Sequence, residues 1–243
     1  MILGDIVNPF LGMIGLLVTY SAVFFVGKVN DIAYVNKHNY LVYLIVGSLA
    51  YLFSHECWRR TTLVFEKMML TLQGVMLAPV SRIYLLAGKA LNAVVFGLLS
   101  AVPHVLLLLF LRPAILSYAR LVMGVVALFF VMSIFISLDF IVTAIELSEE
   151  GQASLIRAWA PRGVTIFACV YYPIDVIPKV LRPLAIINPA YHGVQLLRSA
   201  FIEGPKMDLF LSFLYLAVLA LILPIIAVRY FDYRFRKYGI KGY

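Results

Sequence analysis

Two uninterrupted apolar runs, "VLLLLFL" at 105–111 and "LVMGVVALFFVMSIFI" at 121–136, set the strongest limit on what this chain can become. Neither alternates apolar with polar, so the period-two pattern of a membrane β-barrel is absent. In lipid no water satisfies a free N–H or C=O, so runs of this kind have to be helices. Composition removes the soluble alternative. The 243 residues are 63% hydrophobic and 13% charged, with a mean hydropathy of +0.98. A soluble domain carries about 25% charge, so this chain lacks the polar surface to cover a globule.

A helix needs about 20 apolar residues to cross the hydrocarbon. On that measure the sequence predicts an all-α integral membrane protein with six transmembrane helices, at about 6–27, 40–60, 83–111, 118–144, 154–173 and 207–228. No linker or repeat divides the chain, which reads as one domain, 1–243. The expected location is a cell (inner or plasma) membrane. The larger share of the 20 lysines and arginines falls on one side of such a topology: Arg59, Arg60, Lys67, Arg82, Lys89, Arg157, Arg162 and the tail "RYFDYRFRKYGIKGY". By the positive-inside rule that side is cytoplasmic and holds both termini. The N-terminus lacks the basic start and small-residue cleavage site of a signal peptide. Cys57 and Cys169 stand in different spans and imply no disulfide scaffold.

Signatures of catalysis are missing. His38, His55, His104 and His192 are isolated, no His-x-x-x-His or Cys-x-x-Cys pair has metal-ligand spacing, and no Gly-x-Ser-x-Gly elbow is present. "AGKA" at 87–90 ends like a phosphate-binding loop, but Ala90 stands where the magnesium-binding hydroxyl belongs. No catalytic residue, metal or cofactor is expected in this chain. Asp139, Glu146, Glu149, Glu150 and the cluster His55, Glu56, Arg59, Arg60 read as charges at helix ends, with Glu56 and Arg60 at i, i+4.

Between the second and third spans the sequence predicts a short cytoplasmic helix, 66–78. Leu70, Leu72 and Leu77 with Met69 and Met76 form an apolar side, broken by Glu66, Thr71, Gln73 and Gly74. Pro79 stops the helix, and Ser81 can cap the next one ahead of Arg82. Such a helix is either an anchor at the membrane surface or a docking element for the groove of a soluble partner. Further on, "YYPIDVIPKVLRPLAIINPAYHGVQLLRSAFIEG", 171–204, is divided by Pro173, Pro178 and Pro189 into two short helices, about 174–184 and 190–203. Neither can span, so the stretch reads as an outer-leaflet re-entrant or interfacial hairpin, a gate or a passive loop.

"GVMLAPVSRIYLLAGKAL" resembles the coupling-helix region of the type-2 permease family of ABC exporters. Thr71, Leu72, Pro79 to Arg82 and Gly88–Lys89 fit that pattern. Leu70 stands where the family has glycine, and Gln73 where it has glutamate. Independently, Pro173, Pro178, Asn188, Pro189 and Arg198 resemble the family's outer hairpin, and "VNPFLGMIG" at 7–15 the start of its first span.

The resemblance implies the transmembrane subunit of an exporter, not itself an enzyme. Its partners would be two copies of a cytoplasmic ATP-binding subunit holding ATP and magnesium, a second permease subunit of the same or a different kind, and membrane lipids, with no nucleic acid. The coupling helix (Glu66, Thr71, Leu72, Gln73, Met76, Leu77, Pro79, Ser81, Arg82) would carry ATPase motion into the spans. A hydrophobic or amphiphilic cargo, such as a drug-like molecule, a lipid or a lipid-linked glycan, would leave past the hairpin. A channel or accessory protein without an ATPase, and a membrane-embedded lipid-modifying enzyme, are the rival readings.

Overall fold

The computed structural model of the chain describes residues 11–12, 14–19, 21–22, 35–77, 81–111, 117–148, 152–202 and 208–238. Pro79 lies outside them, as does most of the flanks of the expected first span, and the side chains of Gln73 and Met76 are likewise outside the description. Among the described residues the fold is all-helical, with no strand. The helices are α1 (Tyr40–Arg60), α2 (Val64–Met68), α3 (Leu72–Leu77), α4 (Arg82–Leu111), α5 (Tyr118–Ser148), α6 (Gln152–Phe167), α7 (Arg182–Ile187), α8 (Pro189–Arg198) and α9 (Leu209–Tyr238). A 3-10 turn, Ile174–Val176, lies between α6 and α7.

Four of these are long and apolar enough to cross a membrane: α1 (continued through α2 as far as Met68), α4, α5 and α9. They are compatible with a multi-pass membrane protein. Their burial is unequal. In the most apolar stretch 78% of the residues are buried for the helix beginning at Tyr40, but 11% for α9. α1 is thus the central helix, packed by α4, α5, α6 and α8, while α9 leans on α5 and turns Phe210, Leu211, Leu221 and Ile225 outward. Such an apolar face would be an aggregation liability in water and is an ordinary face toward lipid. The bundle has two unlike ends. One carries Arg60, Arg82, Arg157 and Arg234 with α2 and α3; the other carries α7 and α8.

Helix boundaries depart from expectation where side chains compete for the backbone. The expected fifth span, 154–173, is a helix only over Gln152–Phe167, 16 residues or about 24 Å. It is not among the four helices of spanning length. Beyond Phe167 the chain leaves the helix, with Cys169 at φ 55°, and the carbonyls of Cys169 and Val170 turn to a buried arginine. The expected single helix 66–78 is two short ones. Leu70 at φ 57° occupies the left-handed region, which breaks the helix between Met68 and Leu72. The first helix expected in the hairpin, 174–184, is instead the 3-10 turn and α7, with Pro178 between them. The second, expected at 190–203, is α8, and α9 runs on to Tyr238 rather than stopping near 228.

Two glycines let α5 and α8 approach closely. A Cβ on Gly124 would come within 2.8 Å of the Leu197 Cα, and one on Gly193 within 2.5 Å of the Val131 methyl. Small residues of this kind are how membrane helices gain contact area. Gly124→Ala is expected to lower the thermal unfolding midpoint of the purified protein, at a cost of about 1–3 kcal/mol. Gly163→Ala, where a methyl meets open space, is expected not to lower it.

Candidate functional site

The residues singled out in the sequence fall into two clusters at opposite ends of α1, about 31 Å apart by helix rise. They do not form one site.

At the arginine-rich end, Glu66 of α2 forms an ion pair with Lys89 of α4. Thr71 closes the break after α2: its N–H and its hydroxyl both donate to the Glu66 carbonyl, at 3.0 and 3.2 Å. Leu72 is fully buried and roots α3. Leu77, by contrast, is 84% exposed, and Phe65, Met68, Met69 and Leu70 also point outward. Ser81 immediately precedes α4 and its carbonyl accepts from the Tyr84 N–H at 3.0 Å. Arg82 donates to Asp232 of α9 at 2.5 Å and lies 4.0 Å from the centre of the Phe235 ring, so α4 and α9 are pinned together there. The α2–α3 element is thus fastened on its inner side and apolar on its outer side.

A buried network beneath it was not legible as a unit. Asp139 of α5 is fully buried and accepts from Arg157 Nη1 at 2.6 Å, with the Thr61 hydroxyl 2.5 Å from its other oxygen. The same guanidinium donates to both Glu146 oxygens at 3.0 and 2.8 Å, to Thr143 Oγ1 at 3.0 Å and to the Trp58 carbonyl at 3.2 Å. The Trp58 indole returns a bond to the Arg157 carbonyl at 3.3 Å. Thr61 is the residue that follows α1, so this network joins α1, α5 and α6 at the root of the α2–α3 segment. The sequence signal was Asp139 inside an apolar run; its partner lies 18 residues away on another helix.

At the other end, Asn188 and Pro189 make the corner. The Asn188 side chain accepts from the Ala190 N–H at 3.0 Å and donates to the Val164 carbonyl of α6 at 2.9 Å. It therefore caps α8, and Pro189 takes the first helical position, where a missing N–H is harmless. Pro173 and Pro178 flank the 3-10 turn, their carbonyls accepting from Val176 and Leu181 at 3.1 and 2.9 Å. His192 donates from Nε2 to the Ile186 carbonyl, 2.6 Å away, and burial pushes the imidazole below its ordinary value against that bond.

Arg198 is the fully buried cation of this cluster. It donates to the carbonyls of Cys169 at 2.8 Å, Val170 at 2.5 Å and Tyr43 at 3.3 Å, and its guanidinium carbon lies 3.4 Å from the centre of the Tyr43 ring. Among the described residues no carboxylate pairs with it. Gly47 makes the space, since a Cβ there would run into the guanidinium and the Val170 carbonyl. Also among the described residues, no group of three His, Cys, Asp or Glu side chains gathers as a metal site would require.

Two outcomes test these arrangements. Arg157→Gln leaves Asp139 buried without its cation and is expected to cost about 3–5 kcal/mol, read as a fall in unfolding midpoint and in membrane yield. Leu70→Gly removes the left-handed strain of a side-chain-bearing residue and is expected to stabilise the α2–α3 break by about 1 kcal/mol, read as slower proteolysis there.

No family model matches the chain, and no curated protein matches it.

Proposed function

We propose that this chain is the transmembrane subunit of an ATP-driven exporter of the type-2 permease kind, with ATP and magnesium held by two copies of a separate cytoplasmic subunit. The observation that carries this reading is the α2–α3 segment. It follows α1 at the arginine-rich end of the bundle, exposes Phe65, Met68 and Leu77, and is rooted by Leu72 and by the Glu66–Lys89 pair. An apolar patch on short, fastened helices at the cation-rich end suits insertion into a groove of a soluble partner. Its root touches the Asp139–Arg157 network through Thr61, so a push on α2 reaches α1, α5 and α6 together.

On this reading the six spans of the sequence analysis stand, with α6 and its irregular extension serving as the fifth and the region around residues 11–21 as the first. Both termini are cytoplasmic. The α7–α8 hairpin lies in the outer leaflet beside the exit path, and a second permease subunit supplies the other half. The cargo is hydrophobic or amphiphilic.

Cross-linking in native membranes followed by purification is expected to recover an ATP-binding subunit with this chain. Leu77→Asp places a charge in the joint and is expected to abolish that recovery and transport, with insertion and yield unchanged. Assembly and transport at the parental rate in that variant would move the docking surface elsewhere. A complex without any ATP-binding subunit would favour a channel or accessory protein.

A further inference from the structure

Ser48, Tyr51, Leu52, His55, Glu56 and Arg59 of α1 line a groove of about 290 Å³. Their spacing of three and four places them on one stripe, which climbs roughly 16 Å, about half the hydrocarbon thickness. Gly12 and Leu16 form part of the facing wall, and His104 of α4 and Tyr171 stand toward the hairpin end. A polar stripe along a helix of membrane-crossing length is costly unless a polar group faces it.

The chemistry of the stripe is one-sided. The Glu56 carboxylate, 6% exposed, is covered by Arg59, 3.1 Å from both oxygens, and by Arg60 at 3.2 Å. The side chains of Arg59 and His55 retain 44% and 42% exposure. The groove therefore presents the exposed parts of Arg59 and His55, while its carboxylate is turned to Arg59, Arg60 and, at 3.9 Å, the His55 Nδ1. His104 is buried at the hairpin end of the groove, with the Ser100 carbonyl one turn earlier on α4 as its backbone partner.

We infer that this groove binds the anionic phosphate headgroup of a membrane lipid. The headgroup phosphate lies against Arg59 and His55, and Leu16 and Leu52, deeper along the groove, supply the apolar margin that an acyl chain needs. The inference does not depend on the exporter reading, because binding is a property of the chain alone.

The test is native mass spectrometry of the purified full-length chain in neutral detergent, with phosphatidylglycerol and phosphatidylcholine of the same acyl chains. Phosphatidylglycerol is expected to be retained at least ~10-fold more tightly. Arg59→Gln is expected to erase that preference, and Arg59→Lys, which keeps the charge, to preserve most of it. His55→Gln, which leaves the Arg59–Glu56 pair intact, is expected to weaken it and keeps the test valid should Arg59→Gln fail to fold. Equal retention of the two lipids, or an unchanged preference in both neutral variants, would overturn the inference. So would displacement of phosphatidylglycerol by inorganic phosphate alone, which would make this a site for free phosphate. Absence of any lipid preference in the parent protein, with ATP-driven transport intact, would overturn the groove and leave the exporter reading standing. The reverse pattern would do the opposite.

Discussion

The guanidinium of Arg198 ties together three pieces of chain. It sits at the end of α8, takes the carbonyls of Cys169 and Val170 where α6 has unwound, and lies on the ring and carbonyl of Tyr43 in α1. Burying a cation without a carboxylate is costly. Here the cost is offset by the carbonyl dipoles of Cys169 and Val170, by the negative end of α6, and by a tyrosine π-face in a buried site. The same bonds satisfy the Cys169 and Val170 carbonyls just past Phe167, where the chain no longer forms a helical turn.

A second arginine does comparable work at the opposite end of α6, by a different route. Arg157 faces two carboxylates, Asp139 and Glu146, and also caps the last turns of α1 through the Trp58 carbonyl. α6 is therefore fastened at both ends, to α1 and α5 on one side and to α1 and α8 on the other. A short helix locked this way cannot tilt without breaking a buried charged contact.

Leu70 illustrates how local and tertiary demands diverge. Leucine is a good helix former, and the run from Glu66 reads as one helix. The chain breaks there because Leu72 has to enter the core while Glu66 reaches Lys89, and a continuous helix would not serve both directions. Glycine adopts a left-handed φ without penalty; leucine does not, so Leu70 carries the strain of the break.

What the sequence by itself determined was set by solvent and by proline. Long apolar runs without alternation could only be helices, and the borders of α1, α4 and α5 follow from where those runs meet charge. Asn188–Pro189 was legible as a corner because an asparagine before a proline both caps and starts a helix. Tertiary structure decided everything that depends on which polar group meets which. Arg157 could be read as a cation at a boundary, but not as the partner of Asp139. Arg198 could be read as part of a hairpin, but not as a fully buried cage for carbonyls. The stripe from Ser48 to Arg59 was present in the letters, yet only the packing of α4 and of the residues near Gly12 turned it into a groove. Apolar burial is additive along a chain and shows in a run of letters. A buried charge is acceptable only with partners that packing brings from distant segments, and one sequence without its fold does not name them.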